Sequence, residues 1–283
     1  MFIFRSIGKV ISYINNHFKA MLFLLLLFFV FSPLSKDAIE KPNLTTIRIE
    51  GQIANIDNIL VKIENALTNS NIKGVLLRVD SPGGALAPSI ELSMAVKRLN
   101  KIKPVIAYAA GSMTSGSYYA SIWSKKIIAN PGAFIGSIGV LFQAPNIKPL
   151  ADKLGIKEQV VSAGEYKQMG TFTREWTKKE KNALSELITD SYNLFISDVA
   201  EARGLKKDKA KEFANARVFI AAKAKQKGLI DEVGSLFIAK KELEKISGVK
   251  TPIWQKPSEF DSFLKELKVN TLAPVFSFSS YLR

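Results

Sequence analysis

The apolar positions of this chain follow two patterns. Residues 20–35 form one uncharged run rich in Leu and Phe, bounded by Lys19 and Lys36. Beyond Asn43 the pattern becomes periodic, and strands and helices are predicted to alternate. Residues 46–50 read as a strand ending at Gly51. Residues 57–69 read as a helix with Ile59, Leu60, Ile63 and Leu67 on one face. Residues 74–79 are a buried strand, followed by the turn Asp80-Ser81-Pro82-Gly83-Gly84. A helix over 89–99 aligns Leu92, Val96 and Leu99. Residues 104–108 are the next strand, leading into a Gly/Ser-rich turn and a short helix to Trp123. Strands separated by helices imply parallel pairing with right-handed crossovers.

Further along, Thr177-Lys178-Lys179-Glu180 has the spacing of a capping box. It opens a long helix with Leu184, Leu187, Ile188, Phe195 and Val199 facing inward, closed by Gly204. Short helices are predicted over 207–213 and 221–227. Residues 127–147 carry no charge and are interrupted by Pro131, Gly132, Gly136, Gly139 and Pro145. They read as buried strands and turns, and would also serve as an apolar floor under an active site. The predicted organisation is an N-terminal segment (1–36), a linker (37–43), one domain (44–250) and an extension of unassigned role (251–283).

The 283 residues are 47% apolar, enough for one large core. There is no cysteine, which excludes disulfides and thiolate metal sites. Arg5, Lys9 and Lys19 precede the uncharged run, and no acidic residue occurs before Asp37. Such asymmetry keeps the N-terminus cytoplasmic and sends the rest across, so an uncleaved anchor is expected. The run is shorter than the roughly 20 residues of a comfortable span and close to a signal-peptide core, which makes a cleaved signal the alternative. The net charge is +15. Its lysines are scattered along predicted helices without a nucleic-acid motif, so a solvated surface near anionic lipid is expected, with no nucleic-acid partner.

The only histidine, His17, precedes the apolar run. A nucleophilic serine in the domain would therefore need a carboxylate, tyrosine or lysine as its base. Two turns, 81–84 and 115–117, each follow a predicted parallel strand, where ligands bind in such sheets. Amides from two glycine-containing turns can converge on one oxygen, as an oxyanion hole requires. Ser112, Ser115, Ser117 and Ser121 compete as nucleophile, and any of them could instead cap the following helix. Gly116 after Ser115 frees an amide and tolerates a tight turn. A lysine can act as base only where burial disfavours its charge. Most lysines here lie in solvated runs. Lys167 stands apart, between Gly164 and Gly170 and beside Tyr166 and Met169, although the residues alone leave it open as a loop lysine.

Taken in order, Asp80-Ser-Pro-Gly-Gly84, Gly111-Ser-Met-Thr-Ser115-Gly-Ser-Tyr-Tyr119, Gly136-Ser-Ile-Gly-Val140, Gly164-Glu-Tyr-Lys167-Gln-Met-Gly170 with Arg174 and Thr177, and Gly228-Leu-Ile-Asp231 resemble the bacterial signal peptide peptidase family. The resemblance covers roughly residues 45–235. It implies an α/β Clp-protease/crotonase-like fold with a mostly parallel sheet, behind an N-terminal transmembrane helix. It implies a serine endopeptidase with Ser115 as nucleophile and Lys167 as base. Gly116 would be one oxyanion donor, and Gly83 or Gly84 the other. No metal or cofactor is implied. The expected substrates are cleaved signal peptides and other apolar peptides at the bacterial inner membrane, with the catalytic domain outside the cytoplasm. A homo-oligomeric ring in which Lys167 reaches a neighbour's Ser115 is also implied. The family usually has Gly where Ser117 stands, often Ala where Thr114 stands, and a Thr-Gly pair at Ile220-Ala221; these departures bear on substrate preference. The alternatives are a crotonase-like acyl-thioester binder and a catalytically quiet membrane scaffold.

Overall fold

The computed structural model describes residues 2–31 and 41–256. Most of the expected linker and extension, and the end of the uncharged run, lie outside the described residues. The chain divides into two compact units, Met1–Lys41 and Pro42–Arg283. The first contains one helix, α1 (Phe2–Phe31), which carries His17. Among the described residues no helix is long and apolar enough to cross a membrane.

The second unit is α/β. In chain order it comprises β1 (Leu44–Ile53), α2 (Asp57–Thr68), β2 (Gly74–Gly84), α3 (Leu86–Ile102), β3 (Val105–Thr114), α4 (Gly116–Ser121), β4 (Lys126–Ala129) and β5 (Phe134–Gly136). Then follow α5 (Lys148–Lys153), α6 (Lys178–Arg203), a 3-10 turn (Lys207–Lys209), α7 (Ala210–Phe213), β6 (Val218–Ile220), α8 (Ala221–Gln226), β7 (Glu232–Val233) and α9 (Leu236–Ile246). The described strands form one sheet in the order β1-β2-β3-β4-β7, with β5 beside the end of β3 and β6 beside β5. The pairs along that order and β3–β5 are parallel; β5–β6 is antiparallel.

The sheet is covered on both faces, which is why β2 and β3 read as continuous apolar runs. Val75, Leu77, Val79, Val105, Ala107 and Ala109 point into the larger core with α2, α3, α4 and α6. The intervening Leu76, Ile106 and Tyr108 point into a smaller core under α9. Residues beyond 250 join this domain: Trp254 bridges Leu44 in parallel and packs on the smaller core.

Several elements extend further than predicted. Residues 80–84 and 111–114 belong to strands, because β2 and β3 run on past the sheet centre to the site. The capping box forms: Thr177 Oγ1 accepts from the Glu180 amide, and Glu180 accepts from the Thr177 amide at 2.8 Å. Gly204 closes α6 at φ 64°. Leu184, Phe195 and Val199 are buried as expected, but Leu187 is exposed: the inward stripe drifts round the helix and leaves Leu187 on the solvent side. The uncharged stretch also divides. It is largely buried through Ile138, but Leu141 and Phe142 are exposed.

Candidate active site

At the end of β3 the chain reverses sharply into α4, and Ser115 is the hinge. It adopts φ 51°, ψ −124°, outside the favoured regions for a side-chain-bearing residue. Such backbone strain persists only where neighbours over-determine it. The neighbours here are identifiable. The Ser115 amide donates to the Gly136 carbonyl of β5 at 2.7 Å, and its carbonyl accepts from the Tyr119 amide at 3.0 Å.

Behind the serine, glycine is sterically required. A Cβ on Gly116 would lie 2.1 Å from Ser89 Oγ; one on Gly84 would lie 2.0 Å from the Ile53 carbonyl oxygen. Gly83 has φ 99°, and a Cβ there would lie 2.7 Å from the Gly116 amide nitrogen. The turn of β2 and the serine elbow are thus in direct backbone contact, as the two-turn reading expected.

Ser115, Gly84 and Gly116 open onto a cavity of about 700 Å³. Gly83 does not line it, and the Gly83 amide donates to Ser81 Oγ at 3.2 Å inside the turn. Of the two glycines left open by the sequence, Gly84 is the one facing the cavity. Apolar wall is supplied by Val140 and Leu141 and by Ile188 and Phe195 of α6. Phe195 stacks on Tyr119, with ring centroids 4.4 Å apart. The Tyr119 hydroxyl donates to Asp198; burial, reinforced by that carboxylate, pushes its pKa up.

The non-glycine described residues with positive φ are Ser115, Ser137 and Ala216, and all three line this one cavity. Ser137 and Ala216 were not singled out from the sequence as site residues. The only available signal for Ser137 was its place in Gly136-Ser-Ile-Gly139; Ala216 had none.

The other serines of the Gly/Ser turn have structural partners. Ser121 Oγ donates to the Ser117 carbonyl, and Ser117 Oγ is fully buried among backbone groups. Ser112 Oγ lies 3.1 Å from Thr114 Oγ1. Ser115 is the one whose side chain faces the cavity.

Lys167 is elsewhere. It sits in the turn of residues 164–170, is exposed, and does not line the cavity within one chain. Within the single chain Lys167 therefore does not meet Ser115, and the expected pairing is with the Ser115 of a neighbouring copy. The turn lies beside the start of α6, where Glu165 and Lys179 form an exposed ion pair at 2.6 Å. The cavity uses Ile188, Tyr192 and Phe195, and Tyr192 is roughly 20 Å further along the helix at 1.5 Å per residue. The same segment is held on its other side by Arg174, whose guanidinium donates to both oxygens of Glu180 at 2.9 and 2.7 Å. Arg174 and the Thr177 amide hold the buried Glu180 carboxyl down at about 2. Phe142 packs on Trp176 and under Gly170.

A model of peptidase family S49 matches residues 97–250 of this chain. A protein of Methanocaldococcus jannaschii provisionally named a protease is 38% identical over 184 residues, covering 65% of this chain and 59% of that protein. One from Synechocystis sp., provisionally named likewise, is 34% identical over 196 residues, covering 69% and 71%. The matched region thus spans only part of these relatives. Among solved structures, a lysine-to-alanine mutant of a membrane-bound stomatin-specific protease with a substrate peptide aligns at TM-score 0.52. It is 17% identical and covers 81% of this chain and 99% of that one, a likeness of fold.

Proposed function

We propose, because the chain belongs to peptidase family S49, that it is a serine endopeptidase in which Ser115 is the nucleophile and Lys167 the base. The observation that carries the reading is Ser115 itself, held at φ 51° between a strand and a helix and facing a cavity beside Gly84 and Gly116. The mostly parallel sheet ending in this elbow supports the Clp-protease/crotonase-like assignment.

The chemistry follows from the groups. A neutral Lys167 amine takes the Ser115 hydroxyl proton as Oγ bonds to the peptide carbonyl carbon. The carbonyl electron pair moves onto oxygen, which the Gly84 and Gly116 amides hold. Collapse breaks the C–N bond, and the lysine gives its proton to the departing amine. Water then attacks the acyl-enzyme, with the lysine again as base.

Because Lys167 is exposed and does not line the cavity, we place it opposite the Ser115 of a second copy in a homo-oligomer, for which a ring is the simplest closed form. The exposed apolar side chains of residues 141–172, Leu154 and Val161 among them, supply surface for such an assembly. Burial between copies would also strip water from the lysine and favour its neutral form.

The substrates are proposed to be cleaved signal peptides and other apolar peptides at the membrane, in keeping with the apolar wall of Val140, Ile188 and Phe195. Anchoring by residues 1–36, with the domain outside the cytoplasm, is supported by the basic residues before the uncharged run, which continues past the described helix to Ser35.

The test is hydrolysis of a synthetic signal peptide together with labelling by a fluorophosphonate. Ser115→Ala should abolish both, while Ser112→Ala keeps both. Unchanged labelling of Ser115→Ala would reject the assignment.

A further inference from the structure

Thr114 and Ser117, on either side of Ser115, both reach across to the facing turn. Ser117 is completely buried. Its Oγ lies 2.7 Å from the Ser81 carbonyl oxygen and 2.9 Å from that of Thr114. With one hydroxyl proton it donates to one of these at a time, and its lone pair accepts from the Thr114 amide at 2.9 Å. Thr114 Oγ1 donates to the next carbonyl of the same turn, that of Pro82, at 3.1 Å. Ser112 Oγ, 3.1 Å away, donates in turn to Thr114 Oγ1.

These contacts begin where the sheet ceases to do the same work. The β2–β3 ladder runs regularly to Val79 and Ala109, then slips before its last pair, Ser81 and Met113. Beyond that pair the hydroxyls connect the strands. Each held carbonyl belongs to a planar peptide group, so holding the Ser81 and Pro82 carbonyls fixes the two peptide planes that lead into Gly83, immediately before the Gly84 amide. Gly84 and Gly116 both line the cavity, one on each side of this seam.

We propose that Thr114 and Ser117 are positioning residues that set the spacing of the two oxyanion-binding amides by tying the 81–84 turn to the serine elbow. The inference rests on the peptidase reading above. The tie leaves substrate binding to the cavity wall and acts on the step in which charge develops on oxygen. Donors preset in place are what such a step requires, and small misplacements are expensive in rate.

The experiment compares Ser117→Ala, Thr114→Val and Thr114→Ser with wild type and Ser115→Ala. It measures kcat and KM on a synthetic signal peptide, the rate of fluorophosphonate labelling, and the thermal midpoint. Each of Ser117→Ala and Thr114→Val should lower kcat and labelling about tenfold with KM within about twofold, in protein still folded at the assay temperature. Thr114→Ser keeps the hydroxyl and should stay within about twofold of wild type. The inference is overturned if both hydroxyl-deleted variants match wild type in kcat, if KM alone rises, or if Thr114→Ser is as impaired as Thr114→Val. Equal activity of wild type and Ser115→Ala would overturn the peptidase reading instead, and this inference with it.

Discussion

The serine elbow and the lysine turn are built in opposite ways. Residues 80–121 are fixed by backbone contacts too close to admit a Cβ at Gly83, Gly84 or Gly116, by a buried hydroxyl at Ser117, and by the pairing of Ser115 with β5. Residues 141–176 contain one short helix and no strand, and they present apolar side chains to solvent; Val161 is wholly exposed. Half of the proposed site is thus preorganised within each chain, whereas the other half is displayed on a largely exposed arm. The difference fits the proposed division, in which each chain carries the attacking serine beside Gly84 and Gly116 and assembly supplies the base.

The largest expected effect lies on the arm. Lys167→Ala should reduce peptide hydrolysis as severely as Ser115→Ala, by about a thousandfold or more, since members of a catalytic pair act as a unit. Lys167→Arg should not rescue it, because guanidinium stays protonated at working pH. Steady-state hydrolysis of the signal peptide checks both, and near-normal activity of Lys167→Ala would erase the contrast between the two regions.

A smaller effect is expected from Val161→Asp. A charge on the exposed apolar arm should weaken self-association, lowering specific activity about tenfold at dilute protein and less at high concentration. Sedimentation and activity measured over the same dilution series should fall together. Unchanged association would place the interface elsewhere.

Much of the elbow was legible in the sequence. Parallel pairing followed from apolar runs separated by helices, and paired Gly/Ser turns at strand ends pointed to the region that holds Ser115 at positive φ. The capping box Thr177-Lys178-Lys179-Glu180 marked the start of α6 correctly. What escaped were features set by three-dimensional packing. Whether Gly83 or Gly84 faces the cavity depends on which amide Ser81 Oγ captures. The exposure of Leu187 depends on how α6 lies on the sheet, and the positive φ of Ala216 has no local cue. The glycines flanking Lys167 correctly signal the exposed turn in which it lies, but its proposed place opposite a neighbour's Ser115 is a matter of assembly that no local pattern encodes.

The smallest effect concerns the joint between the arm and α6. Arg174 lowers the Glu180 carboxyl from an ordinary 4.5 to about 2, so the pair's contribution to stability is fully present above about pH 4.5 and is lost as pH falls through about 2. Glu180→Gln should therefore melt a few degrees below wild type at pH 7, and the gap should close as pH drops from 4.5 toward 2. A gap independent of pH would mean that the carboxylate charge is not what secures the joint.

The most direct measurement mixes the two halves. Ser115→Ala and Lys167→Ala, each inactive alone, are co-expressed with different tags, and mixed oligomers are isolated by sequential capture. If each site takes its serine from one copy and its lysine from the next, about a quarter of the sites at random mixing combine an intact serine with an intact lysine, and activity returns in that proportion. Mixed oligomers that stay inactive would contradict the account, because each chain would then have to complete its own site.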